Sequence, residues 1–293
     1  MSTSSEIDLN GPVHVVDHGG EGIPILLVHG LGGSHVNWSA VADRMTEFGS
    51  VRAIDLIGFG YTPPAGRSSS VESQVEMIVS YLREYTDRPA VLVGNSMGGL
   101  TSMLVAEAAP DLVDSLVLVD PALPVIRPRL DTEVLAKLAL PLIPGYGKKA
   151  YAAAAEDPEA FLDSTLSIVA ADPSKLRAED REVALVVARD RAEMPWVASA
   201  FGDSARSIFR IGARRMSFAK RAAAIRAPAL VIHGEQDRLV DVASARWLVK
   251  QRPGWELVVL EGIGHVPQLE APDRFLELAG AWMAERSADS PVS

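Results

Sequence analysis

The chain has 293 residues, with 28 Lys and Arg against 38 Asp and Glu and a formal net charge of −10. Its 48% apolar fraction excludes a disordered chain. The acidic balance argues against nucleic acid as a partner and against docking by charge on an anionic membrane, because no basic surplus exists to meet phosphates. The absence of cysteine removes disulfides, thiolate zinc sites, iron–sulfur clusters and cysteine nucleophiles together.

Met1 to Gly11 has neither a basic start nor an apolar run, so no signal peptide is expected. No apolar stretch reaches the roughly 18 residues of a membrane span, and a cytoplasmic location is the expectation. Val13 to Val16 reads as the first strand, and Ile25 to Val28 as the next, ending in the glycine turn Gly30, Gly32, Gly33. Val51 to Ile54, Ala90 to Val93, Leu116 to Val119, Leu230 to Ile232 and Leu257 to Leu260 follow, each running into Gly, Asp, His or Glu. Short apolar runs bounded in this way suit strands buried on both faces of a parallel sheet. Helical patterns lie between them at Val71 to Tyr85, Met97 to Ala109, Val240 to Lys250 and Pro272 to Ala284. Strand, helix and strand in repetition predict an α/β protein.

The alternation breaks between about Pro124 and Arg226, where no strand pattern is found. Thr132 to Leu140, Glu159 to Ala170 and Ala178 to Ala192 read as separate helices punctuated by prolines, as in a helical insertion between two strands of one sheet. The polar tail Ser287 to Ser293 is expected to be loose.

The strongest chemical signal is Gly94-Asn95-Ser96-Met97-Gly98-Gly99, between a predicted strand and a predicted helix. G-x-S-x-G in that context is a nucleophile elbow: small residues flank a serine on a tight turn, and the helix start offers backbone N–H groups where an oxyanion would form. Met97 would supply one of them. The other would come from Leu31, within His29-Gly30-Leu31-Gly32-Gly33. Gly30-x-Gly32 after a strand, with Asp55 ending the next, also mimics a dinucleotide-binding turn. That reading fails at the third glycine position, which is His35. His233-Gly234-Glu235-Gln236-Asp237 places an acid just after a later strand, and Gly262-Ile263-Gly264-His265 places a histidine after the last. Ser96, Asp237 and His265 thus follow the order serine, acid, histidine that such an elbow carries. Asp120, also at a strand end, is the alternative acid. Asp55 reads as a brace for the loop below the site, and His29 as a shaper of the oxyanion loop. His14, His18 and His35 show no metal-ligand spacing, no H-E-x-x-H occurs, and no metal is expected.

The segments HGLGG at His29 to Gly33, DLIGFGYT at Asp55 to Thr62, GNSMGG at Gly94 to Gly99, HGEQD at His233 to Asp237 and GIGHVPQLEAPDRF at Gly262 to Phe275 resemble the α/β-hydrolase superfamily over residues 12–124 and 214–286. The resemblance implies a mostly parallel eight-stranded sheet flanked by helices, with an all-helical cap inserted after the sixth strand. The core would then span 1–124 and 214–293 and the cap 125–213. Related haloalkane dehalogenases and epoxide hydrolases carry Asp at the elbow. Ser96 therefore points to a carboxylesterase-like serine hydrolase acting on a small acyl substrate without cofactor. GNSMGG is similar to the meta-cleavage-product hydrolases, which cut carbon–carbon bonds, although those usually have Trp where Val266 follows His265. An acyltransferase, a cofactor-free perhydrolase and a non-catalytic binding protein on the same fold stay open as alternatives. Trp196 and Phe201, with Phe209 and Met194, are candidates for lining an apolar substrate pocket. Oligomeric state is not legible.

Overall fold

The computed structural model describes residues 2–124, 134, 151 and 155–289. The apolar runs are strands: β1 (Thr3–Asp8), β2 (Pro12–Gly19), β3 (Pro24–Val28), β4 (Ser50–Ile54), β5 (Ala90–Asn95), β6 (Val113–Val119), β7 (Ala229–Gly234) and β8 (Glu256–Leu260). They form one eight-stranded sheet in the order β1-β2-β4-β3-β5-β6-β7-β8. β1 with β2 and β2 with β4 pair antiparallel, and every other pair is parallel. The central strands β3, β5 and β7 are buried at every position, which is why they read as unbroken apolar runs.

Alternate residues of each strand serve opposite faces. Leu26, Val28, Leu92 and Leu116 join one apolar layer with Ile78, Leu82 and Leu104. Leu27, Val93, Val117 and Ile232 join the other with Trp38, Phe275 and Trp282. The helices that supply these layers are α1 (Val71–Tyr85), α2 (Met97–Ala108), α7 (Val242–Gln251) and α8 (Pro272–Asp289).

Between β6 and β7 the described residues contain helices and no strand: α3 (Pro158–Val169), α4 (Ala178–Ala192), α5 (Val197–Ala213) and α6 (Arg215–Ala224). α3 begins where Asp157 accepts a hydrogen bond from the Ala160 N–H and Pro158 fills the first position, the two local signals that start a helix. These helices are tied to the sheet domain by side-chain hydrogen bonds. Ser39 Oγ donates to Asp180 and Tyr61 Oη to Asp190, both at 2.6 Å. The Val71 N–H donates to Ser207 at 2.9 Å and the Ser69 N–H to Asp203 at 2.9 Å. No helix among the described residues is long and apolar enough to cross a membrane.

Three expectations need correction or relocation. Val13–Val16 belongs to the second strand, because Thr3–Asp8 pairs ahead of it. That edge strand is exposed at every position but the half-buried Ile7, so its sequence TSSEID carries no alternation to read. Ser287–Asp289, expected to be loose, continue α8. The predicted helix Thr132 to Leu140 lies outside the described residues, apart from Val134, which is helical and buried.

Candidate active site

Ser96 stands between the end of β5 and the start of α2 with φ 54° and ψ −117°. A non-glycine residue in that region is strained by about 1–3 kcal/mol, and such strain persists only where the surroundings impose it. They do so here. The Ser96 N–H donates to Val119 O at 2.9 Å, and Ser96 O accepts from the Leu100 and Ala122 N–H groups. A Cβ on Gly98 would lie 2.1 Å from Val28 O, and one on Gly94 would lie 2.5 Å from Gly98 O. Only glycine lets α2 pack this closely on β3 and β5.

The same closeness joins the elbow to the glycine turn after β3. A Cβ on Gly30 would lie 3.1 Å from Ser96 Cβ, so the turn that carries Leu31 begins against the serine. Met97 is the first residue of α2, where a backbone N–H has no intrahelical acceptor. His29 fixes the turn from below. Its Nε2 accepts from the Leu56 N–H at 3.0 Å, so Nδ1 carries the proton and donates to Gly30 O at 2.7 Å. Complete burial pushes its pKa down to about 4, and the ring is neutral near pH 7.

Asp237 and His265 form a buried pair, with the His265 Nδ1–H donating to Asp237 Oδ2 at 2.7 Å. Asp237 Oδ1 accepts from the Leu239 and Val240 N–H groups at 2.7 and 3.0 Å. Burial opposes its ionisation, but the His265 charge and hydrogen bond hold it below the usual carboxylate range. The pair is joined to the elbow through Asn95, whose Nδ2 donates to His265 O and to Val119 O, each at 3.1 Å. On its other side the His265 N–H donates to Val169 O at the end of α3, at 2.6 Å. Glu270 extends that link by accepting from the Gly264 and Ala171 N–H groups, both at 2.8 Å. The sequence reading did not single out Asn95 or Glu270, since an amide or an acid beside a motif carries no signal of its own.

Asp120 is brought close without taking the same place. It is fully buried, with φ 43°, and its Oδ1 accepts from the Gly234 N–H at 2.9 Å. Burial and the neighbouring Asp237 charge push its carboxyl well above the usual range. His233, also buried, lies 3.5 Å from Asp120 and 3.6 Å from Asp237. Its Nε2–H donates to Val240 O at 2.9 Å, and burial lowers its pKa.

Asp55 sits beneath the glycine turn after β3, with Nε2 of the His29 ring 4.0 Å from its Oδ1. It accepts from the His35 N–H at 2.6 Å, the Tyr61 N–H at 2.9 Å, His14 Nδ1 at 2.8 Å and His35 Nδ1 at 3.0 Å. Burial opposes its charge, but the hydrogen bonds from His14 and His35 hold it far below the usual carboxylate range. His14 and His35 showed no metal spacing along the chain, yet they meet Asp55 in space, as Asp120, His233 and Asp237 meet one another. In both groups the ring nitrogens nearest the carboxylates or the Val240 carbonyl act as donors, an arrangement that braces loops.

Phe201, on α5, reaches Gly32 of the glycine turn after β3, where a Cβ would lie 3.5 Å from its ring. Its ring is 5.9 Å from that of Tyr151. Trp196, at the start of α5, is half-buried. Phe209, also on α5, is 49% exposed. Arg191, near the end of α4, has an enclosed side chain whose Nη1 donates to Gly32 O. Its buried Nε has no acceptor among the described residues.

The chain is 28% identical over 288 residues to the 2-hydroxymuconate semialdehyde hydrolase of Pseudomonas sp. strain CF600, covering 92% of this chain and 89% of that protein. Among solved structures it resembles a membrane phospholipase A described as a bacterial virulence factor, at 26% identity and TM-score 0.74, over 99% of this chain and 87% of that one. It also shares the fold of the 2-hydroxy-6-oxo-6-phenylhexa-2,4-dienoate hydrolase from Rhodococcus sp. strain RHA1, at 23% identity and TM-score 0.73, over 94% and 98%. The family model for the alpha/beta hydrolase fold matches residues 23–272, and the chain belongs to that family.

Proposed function

We propose that the chain is a serine hydrolase that cleaves a carboxylic ester, or a related acyl bond, of a small apolar substrate through an acyl-enzyme. The observation that carries this reading is the strained Ser96 elbow held by Asn95 to the loop of a histidine already paired with a buried acid. His265 takes the Oγ proton as Ser96 attacks the carbonyl carbon. Asp237 holds the Nδ1 proton in place, so that Nε2 is free to accept, and stabilises the imidazolium. The Leu31 and Met97 N–H groups receive the oxyanion, each donor contributing about 3–4 kcal/mol. The leaving group takes the proton from His265, and a water activated by the same imidazole then releases the acid. The enzyme assignment and the absence of any cofactor requirement rest on this chemistry, which uses only side chains and backbone of the chain.

Within the reading, residues 125–213 form a cap over a core of 1–124 and 214–293, and Trp196 and Phe201 contribute to an apolar acyl site. Phe201 supports this most directly, because α5 brings its ring onto the oxyanion turn. The test is a panel of p-nitrophenyl esters of increasing acyl length, run beside labelling with a fluorophosphonate probe. Turnover of the esters and a single label that maps by peptide mass to Ser96 are expected. A label on another serine, or ester turnover that survives full labelling of Ser96, overturns the assignment.

A second reading, hydrolysis of a carbon–carbon bond in a carboxylate-bearing dione, is favoured by one feature. Arg191 presents an unpartnered, buried Nε–H beside the oxyanion turn, and burial has lowered its pKa by removing solvent from the cation. A substrate carboxylate would satisfy it with a charge-assisted hydrogen bond. Both hydrolases described above act, by name, on such anionic compounds. Arg191→Met should then raise KM for a vinylogous diketone acid by about 10–100-fold more than for a neutral ester, as expected for one charged hydrogen bond, since the lost Gly32 contact acts on both substrates alike. Equal effects on both substrates eliminate this reading.

A further inference from the structure

The net charge of −10 conceals a segment of opposite sign. From Ser204 to Arg226 the chain carries Arg206, Arg210, Arg214, Arg215, Lys220, Arg221 and Arg226 and no acidic residue. In the fold these residues lie on α5, α6 and the ends of α6. Arg206, Phe209, Arg210 and Ala213 are exposed at helical spacing along one side of α5, and Met216, Lys220, Ala223 and Ala224 are exposed at helical spacing along α6. Three of the cations have acidic neighbours: Arg206 lies 3.9 Å from Asp203, Arg210 pairs with Glu72 at 2.8 Å, and Arg221 pairs with Glu107. Arg214, Arg215, Lys220 and Arg226 form no ion pair with any described residue. Arg215 also occupies the first position of α6, the end of a helix where positive charge is disfavoured, so local stability does not account for it.

Two features narrow what this face fits. Phe209 is 49% and Met216 71% exposed, so large apolar side chains stand among the cations. Between α5 and α6 lies a cleft of about 100 Å³, lined by Arg210, Arg214, Arg221, Ser217 and Glu72 with Phe218 beneath. Arg214 faces the cleft without a carboxylate partner among the described residues, beside Arg210 and Arg221, which hold Glu72 and Glu107, so the cleft carries a net positive charge that suits a phosphate, and flanking apolar side chains suit the acyl layer beside it. The whole-chain charge does not forbid this, because screening at physiological salt limits a surface to charges within about 8–10 Å.

We propose that the outer face of α5 and α6 docks the protein on an anionic phospholipid surface, with a headgroup phosphate in the arginine cleft and Phe209 and Met216 in the interfacial layer. Nucleic acid would use the same cations but leaves the two apolar side chains in water, which is why lipid is the better match. The face begins at Arg206, about one and a half helical turns along α5 from Phe201, and none of its residues belongs to the proposed catalytic machinery. Docking would therefore set where hydrolysis happens and not how.

The experiment is co-sedimentation of the full chain with vesicles of phosphatidylcholine alone and of phosphatidylcholine mixed with phosphatidylglycerol. Binding to the anionic vesicles only, weakened by added salt, is expected. Combined Arg214→Glu, Arg215→Glu and Lys220→Glu should reduce it by about tenfold or more. Met216→Ser should reduce the binding that survives high salt. Unchanged fluorophosphonate labelling reports that each variant is folded, and the milder Arg214→Gln, Arg215→Gln pair replaces the triple variant if labelling falls. No binding to anionic vesicles, equal binding to both vesicle types, or a charge-reversed protein that binds like wild type overturns the proposal. So does tighter capture by a DNA duplex than by the anionic vesicles.

Discussion

Ser96→Ala is expected to lower kcat by about 10⁶-fold on any ester the wild type turns over, the scale seen when a serine nucleophile is removed from a complete triad. The mechanism leaves no substitute. His265 then has no hydroxyl to deprotonate, and what survives is the smaller contribution of binding and the oxyanion donors. The fold should not notice the change. Ser96 is half-buried, its backbone makes the hydrogen bonds that define the elbow, and alanine keeps the Cβ that already meets the strained φ of 54°. Thermal unfolding within a few degrees of wild type, with kcat gone, is therefore the expected pair of results. A modest loss of kcat would mean that the reacting nucleophile is elsewhere, for example a water activated by His265 alone.

Legibility from sequence followed burial. β3, β5 and β7 were readable because strands buried on both faces must be apolar throughout. β1 was not, because an exposed edge strand made of Thr, Ser, Glu and Asp obeys no pattern. The helices α1 and α4 match their expected bounds, Val71–Tyr85 and Ala178–Ala192, since a break lies at each end: a Ser70 cap and a non-helical Thr86 for the first, an extended Arg177 and a turn at Glu193 for the second. In the candidate site, the places of Ser96, Asp237 and His265 just past the ends of β5, β7 and β8 were legible because each lies in a turn that carries glycine. Their supports were not. Asn95 and Glu270 act through backbone atoms of residues about 170 and 100 positions away, and His14, His35 and Asp55 converge from three separate elements. Arg191 reads as one more charge on a helix until the fold lays it on Gly32. Local charge was readable but was averaged away: one net value of −10 hid the basic run from 204 to 226.

Asp237→Asn should cost about 10⁴-fold in kcat, and Asp120→Asn little by comparison. The reason lies in which atoms face which. Asp237 Oδ1 is held by two N–H donors, from Leu239 and Val240, and Oδ2 receives the His265 Nδ1–H. In the Asp237→Asn variant the amide oxygen stays with the two N–H donors, so the NH₂ group meets His265 Nδ1. That nitrogen must then become the acceptor, the proton moves to Nε2, and the imidazole can no longer take the Ser96 proton. Asp120 has no such duty. Its carboxyl is pushed up by burial and by the Asp237 charge, whereas that of Asp237 is held down by His265. An amide has nearly the same shape as the carboxyl and keeps an oxygen for the Gly234 N–H. The sign of the pH effect separates the two further. A carboxyl whose folded pKa is raised contributes stability that is lost as pH rises from the unfolded value through the folded one. Asp120→Asn removes that loss, so its melting temperature should gain on wild type as pH rises. Asp237 has a lowered pKa, so its contribution is present above the unfolded value and lost on acidification, and Asp237→Asn should flatten the acid side instead. Steady-state kinetics on one ester and thermal melts from acid to neutral pH measure both. If Asp120→Asn proves the more damaging in kcat, the acid that serves His265 is the one at the end of β6.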